Sequence, residues 1–186
     1  MSPRRVVKTQ KRAVKRVKYS NETFSNAILM SAPASSGALK NDYYVPVITP
    51  STTSGMRKAK NFTINVTCSP PLDPNTGQPV PIIISAILVY VPEGTNPMAP
   101  DFTQISPSGA YPSPATLSTV YKPDQNIIMF KVANITNSGN LTMRNRLARN
   151  LNSGDAVGVI VSVFRTAYDA TADLAAIVSA NYAVTY

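Results

Sequence analysis

Residues 62–68 alternate apolar and polar at every step. Phe62, Ile64, Val66 and Cys68 fall on one side, Thr63, Asn65 and Thr67 on the other. A period of two predicts a strand with one buried face and one wet face. Ser69-Pro70-Pro71 ends it, and Asp73-Pro74-Asn75-Thr76-Gly77 places Pro and Gly as a tight turn requires. Ile82–Val91 (IIISAILVYV) is continuously apolar and rich in β-branched residues, the pattern of a strand covered on both faces. Further strands are predicted over 126–136 and 156–165 (AVGVIVSVFR). A closing strand puts Ala176, Val178, Ala180, Tyr182, Val184 and Tyr186 on one face. Two similar turns, Asn137-Ser138-Gly139-Asn140 and Asn152-Ser153-Gly154-Asp155, bracket residues 141–151. Residues 31–41 and the proline-rich stretch 92–114 read as loops, and Asp169 to Ile177 is the one stretch suited to a short helix.

Seven or eight strands separated by turn signals, with sixteen prolines in 186 residues, predict an all-β domain built on one core. The long loops favour an antiparallel jelly-roll sandwich over an up-and-down barrel.

Charge divides the chain sharply. Residues 1–18 (MSPRRVVKTQKRAVKRVK) hold eight of the eighteen Lys and Arg and no acid, leaving ten cations against nine acids in the rest. The expected organisation is a basic arm over residues 1–25 and a jelly-roll domain over 26–186. A nearly neutral body with a polycationic tail suits a polyanionic partner. Arg4, Arg5, Lys8, Lys11, Arg12, Lys15, Arg16 and Lys18 can neutralise phosphates and release condensed counterions without reading any base. Fully extended, such an arm reaches about 60 Å at roughly 3.3 Å per residue. Lys11, Arg12, Lys15, Arg16 and Lys18 also suit a nuclear localisation signal, which implies a host import receptor as a further partner. Two basic clusters in the body are candidates for the same phosphates: Arg57, Lys58 and Lys60, then Arg144, Arg146 and Arg149. In a strand, Arg144 and Arg146 would share a face.

Other chemistry is poorly provided for. The chain has no histidine, so Ser-His-Asp and Cys-His catalysis are excluded, and no phosphate-binding Gly loop is present. The nine acids lie at least four residues apart with no dyad spacing, and Cys68 is the only cysteine. No enzymatic activity, metal or cofactor is expected. The longest apolar run, residues 81–91, is too short to span a bilayer, and no secretory segment follows the basic N-terminus. The Asn-x-Thr sequons at Asn21, Asn61, Asn65, Asn134 and Asn140 accordingly read as strand composition, not glycan sites.

The N-terminal Arg/Lys arm, the basic lead into the first clear strand (MRKAKNFTINVTCS), the apolar strand IIISAILVYVPEG and the segment RNRLARNLNSGDAVGVIVSVF follow one another over nearly the whole chain. In these features it resembles the capsid proteins of small circular single-stranded DNA viruses, the circovirus-like and nanovirus-like group. The resemblance implies one eight-stranded jelly roll, self-assembly as sixty copies in a T=1 icosahedral shell, and an arm directed inward onto single-stranded DNA. The implied locations are the virion and, during assembly, the host nucleus. Coat proteins of small or satellite single-stranded RNA viruses share this size and plan. A cellular nucleic-acid-binding β-domain is the principal non-viral alternative, and an extracellular jelly-roll ligand or lectin leaves the arm unexplained.

Overall fold

The computed structural model describes residues 17–30, 40–51, 55–73, 75–95, 126–165 and 174–185. Nine strands form: β1 (Ser20–Met30), β2 (Lys40–Ile48), β3 (Arg57–Cys68), β4 (Ile82–Val91), β5 (Ile127–Ile135), β6 (Gly139–Asn145), β7 (Arg149–Leu151), β8 (Ala156–Arg165) and β9 (Leu174–Val184). Among the described residues there is no helix.

The strands build two antiparallel sheets. Sheet A has the order β1-β9-β3-β6, with β7 pairing the start of β3, and sheet B has the order β2-β8-β4-β5. The chain crosses between the sheets at almost every connection, staying within one only from β4 to β5 and from β6 to β7. That order is the wrapped double Greek key of a jelly roll. The ninth strand beyond the expected eight is β7, three residues that extend the β6 side of sheet A along Arg57, Lys58 and Ala59.

The core lies between the sheets. Phe62, Ile64, Val66 and Cys68 of β3 point inward as their alternation requires, against Ile82, Ile84, Ala86 and Leu88 of β4 and Val157, Val159, Val161 and Val163 of β8. Each fully buried aliphatic side chain stabilises by about 1.5–3 kcal/mol. The ring of Phe62 stacks on Tyr182 with centroids 6.1 Å apart. Cys68 is buried, and burial pushes its thiol above its ordinary pKa, away from the reactive thiolate.

Strands β4 and β8 are buried on their outer sides as well. Ile83, Ile87, Val89 and Val91 join Ala156 and Ile160 in a second apolar cluster, with Tyr44, Ile127, Phe130 and Val132 packed against it. The double-sided reading of IIISAILVYV is correct. On this outer side Ser85 and Ser162 face each other across the β4–β8 pair. Both hydroxyls are fully buried and have no hydrogen-bond partner among the described residues.

Three sequence expectations differ from the structure. Strand β1 starts at Ser20, inside the span assigned to the arm, and pairs residue for residue with β9 down to Met30–Leu174. Residues 174–177 belong to strand β9, not to a short helix, because Leu174 and Ala176 complete the buried stripe of that strand. The loop read over 31–41 gives way to β2 at Lys40. Residues 31–39 lie outside the described residues, as do 96–114 of the proline-rich loop and Tyr186.

Candidate nucleic-acid interface

The alternation of sheet A sorts its side chains. Inward positions of β9 are Leu174, Ala176, Val178, Ala180 and Val184. The other set includes Ala175, Ile177, Ser179 and Asn181. Register extends that outer set to Asn21, Thr23, Ser25, Ala27 and Leu29 on β1, to Thr63, Asn65 and Thr67 on β3, and to Asn140, Thr142 and Arg144 on β6. The pairing of Asn65 with Thr142 is closed by a side-chain hydrogen bond, the Thr142 hydroxyl donating to Asn65 Oδ1 at 2.8 Å. Apart from an apolar end at Ala27, Leu29, Ala175 and Ile177, this outer face is mostly Asn, Thr and Ser.

A bulge places the first basic cluster. The pairing of β3 with β9 slips between Lys60 and Thr63, where Asn61 takes φ +57°, a left-handed conformation that Asn tolerates better than most residues. Lys60, opposite Ala183, and Lys58, opposite Asn150, therefore stay on the outer side, while Ala59 and Phe62 go to the core. The Lys60 ammonium stands 3.7 Å from the centre of the Tyr19 ring, so a cation–π contact fixes the residue just before β1 to this face. Backbone pairing reinforces the spot: Thr185 N–H donates to Lys58 O at 3.0 Å, and Lys58 N–H donates to Thr185 Oγ1 at 2.8 Å.

Arg57 has another environment. It lies opposite Leu151 on the inner side, at the rim of the sandwich. Its Nη2 donates to Thr49 O at 3.2 Å and Asp155 O at 3.4 Å, while its Nε is buried with no partner among the described residues. The guanidinium ties the end of β2 to the turn before β8.

That turn contains the most elaborate polar cluster in the described structure, and nothing in the sequence pattern marks it beyond N-S-G-D. Asp155, only 4% exposed, accepts from the Tyr90 hydroxyl at 2.7 Å, Asn152 N–H at 2.7 Å and Glu93 N–H at 3.2 Å. Burial pushes its carboxyl pKa up, but these hydrogen bonds to the charged form together outweigh burial and leave it below the ordinary value. The same bond to Asp155 is the main reason the Tyr90 hydroxyl is pushed up to about 12. Gly154, at φ +87°, holds a left-handed conformation that favours glycine, and a Cβ there would also displace the Glu93 carboxyl group. The cluster joins three loops and is structural in character.

The second basic cluster divides too. Arg144 is exposed on the outer face of sheet A, opposite Thr63. Strand β6 ends at Asn145, so the same-face argument does not carry to Arg146, which lies exposed in the connection to β7. Arg149 lines a shallow cleft with Tyr90, Ala148 and Asn150 at the Asp155 rim. Lys18 is exposed beside Tyr19. The remaining arm candidates, Arg4, Arg5, Lys8, Lys11, Arg12, Lys15 and Arg16, lie outside the described residues. The structure thus gathers Lys58, Lys60 and Arg144 on one face, with Lys18 exposed where the chain enters β1, and places Arg57 and Arg149 on the rim. No group of three or more metal-ligating side chains occurs among the described residues.

No family model matches the chain, and no curated protein matches its sequence. Similar solved structures include the BFDV capsid protein in a decameric form, 8% identical over 91% of this chain and 98% of that one, with a TM-score of 0.45. The same capsid protein as a 60-mer is 10% identical over 92% and 93% of the two chains, with a TM-score of 0.40. Merkel cell polyomavirus VP1 in complex with disialyllactose is 9% identical over 93% and 96%, with a TM-score of 0.26. The strand order, not these likenesses, carries the fold assignment.

Proposed function

We propose that this chain is a viral capsid protein of the small circular single-stranded DNA type, which self-assembles into a T=1 shell and packages its genome through the N-terminal arm. The observation that carries the reading is a jelly roll whose first strand is preceded immediately by eight cations and no carboxylate. A sandwich of this kind leaves edge strands (β1 and β6 in sheet A, β2 and β5 in sheet B) and end loops available for contacts with other copies. The arm supplies what the near-neutral body lacks, and counterion release makes packaging sensitive to salt. Sixty arms of eight cations would match about 480 phosphates by simple neutralisation. In this reading Lys11, Arg12, Lys15, Arg16 and Lys18 also serve nuclear import, and the protein acts in the virion and the host nucleus without cofactor or catalysis.

The test is the particle state of the purified full-length protein, by electron microscopy with absorbance at 260 and 280 nm. Uniform closed shells holding nuclease-protected single-stranded DNA are expected, with shells lost or empty when residues 1–18 are removed and the body still folded. Protected RNA would move the protein to the RNA-virus coats. A monomer or dimer that binds nucleic acid without forming shells would sink the capsid reading.

A further inference from the structure

The outer face of sheet A carries no carboxylate among the described residues. Of the acids described, Glu22 lies on the inner side of β1 opposite Tyr182, where it accepts from the Ser20 hydroxyl at 2.7 Å, while Asp42 is on β2 and Asp73, Glu93 and Asp155 are in turns or loops. The cations of this face collect at one end. Lys58 and Lys60 are two residues apart on β3, and Arg144 is one strand over, opposite Thr63. At about 3.3 Å per residue and 4.8 Å between strands, Lys58 and Lys60 stand about 7 Å apart and Lys60 and Arg144 about 10 Å, in a patch roughly 15 Å long. Each neighbouring pair is thus about one Debye length apart at physiological salt, so Lys60 shares its field with both of the others. The opposite end has Leu29 and Ile177, 64% and 51% exposed, and no charge.

The arm leaves at the cationic end. Tyr19 is held against Lys60, and Lys18 is exposed beside it. From this geometry we infer that the arm-proximal end of the outer face of sheet A is a second binding element for the phosphate backbone of single-stranded nucleic acid, contiguous with the arm but built into the folded domain. Lys18, Lys58, Lys60 and Arg144 take phosphates, and the surrounding Asn, Thr and Ser side chains offer neutral hydrogen bonds with no like-charge penalty. Arg57 takes no part, because it is engaged at the rim. The inference rests on the packaging reading and adds to it which face of the sandwich meets the strand.

The probe is a labelled thirty-nucleotide oligothymidylate, titrated by fluorescence anisotropy against the full-length protein over a range of salt. Replacing Lys58→Gln, Lys60→Gln and Arg144→Gln together is expected to lower the slope of log K against log salt by about 2, at about 0.7 per phosphate contact on a single strand. The charge-preserving set Lys58→Arg, Lys60→Arg and Arg144→Lys should keep the wild-type slope. Lys40→Gln, which removes a cation from edge strand β2 of sheet B, should leave it nearly unchanged. A triple Gln variant that folds by circular dichroism and keeps the full slope overturns the inference and leaves the packaging reading standing. So does an equal loss per charge in the sheet B control, since net charge alone would then explain the effect. Failure of the wild-type chain to bind the oligonucleotide overturns both.

Discussion

The two sheets are made from strands of similar length, yet they present opposite exteriors. The outer side of β4 and β8 in sheet B is apolar and buried, while that of β3 and β9 in sheet A is polar and lies open. The difference is visible as a continuous apolar run in one and strict alternation in the other. A strand covered twice has no face left for chemistry, so β4 offers nothing to a charged partner, while sheet A presents Lys58, Lys60 and Arg144 on an open face. The comparison also separates two kinds of basic residue. Lys58 and Arg57 are neighbours in sequence, but one projects outward and the other spans two loops.

The contrast breaks most visibly under a buried charge. Ile87→Asp, on the outer side of β4, should cost more than about 4 kcal/mol and abolish cooperative unfolding, because an unpaired carboxylate would sit in the second apolar cluster. Thr67→Asp, on the outer face of β3, should cost about 1 kcal/mol or less. Urea denaturation of the pair measures the difference directly, and equal costs would mean that the two exteriors are not distinct.

A smaller effect is expected at the rim. Asp155→Asn should destabilise the domain by about 2 kcal/mol at neutral pH, since it weakens charge-assisted bonds from Tyr90, Asn152 and Glu93. The folded carboxyl pKa is lowered, so this stabilisation is complete above the unfolded value near 4 and is lost as pH falls through the folded value. Thermal melts of wild type and variant should therefore converge as pH falls below the unfolded value. A gap that stays undiminished down to the acid limit of the folded state would assign the effect to packing alone.

The smallest effect sharpens the comparison from within sheet B. Ser85→Ala or Ser162→Ala should raise stability by about 1 kcal/mol, because each removes a buried hydroxyl unpartnered among the described residues. Loss of stability in either variant would show that the hydroxyls have a partner.

Much of the fold is legible residue by residue. The Asp73 turn forms as its sequence suggests: Asp73 Oδ1 accepts from Asn75 N–H at 2.8 Å, and Gly77 takes φ +67°. Strands β1 and β2 were harder to read for physical reasons. Both are sheet edges, with a partner on one side only. In β1 the inward positions begin with Ser20 and Glu22, which obscure the apolar stripe that Phe24 and Ile28 continue. In β2 Pro46 interrupts the pattern, and an edge strand tolerates a proline that an interior strand would reject.

By itself the sequence determined the all-β class, the double burial of β4 and the concentration of cations ahead of the first strand, because periodicity and net charge are local properties that survive any arrangement of the elements. Tertiary structure decided which cations share a surface. The bulge at Asn61, the register of β3 against β6 and β9, and the Asp155 rim separate Lys58, Lys60 and Arg144 from Arg57 and Arg149. Those assignments depend on contacts between residues far apart in the chain, and no local pattern encodes which partner a side chain will meet.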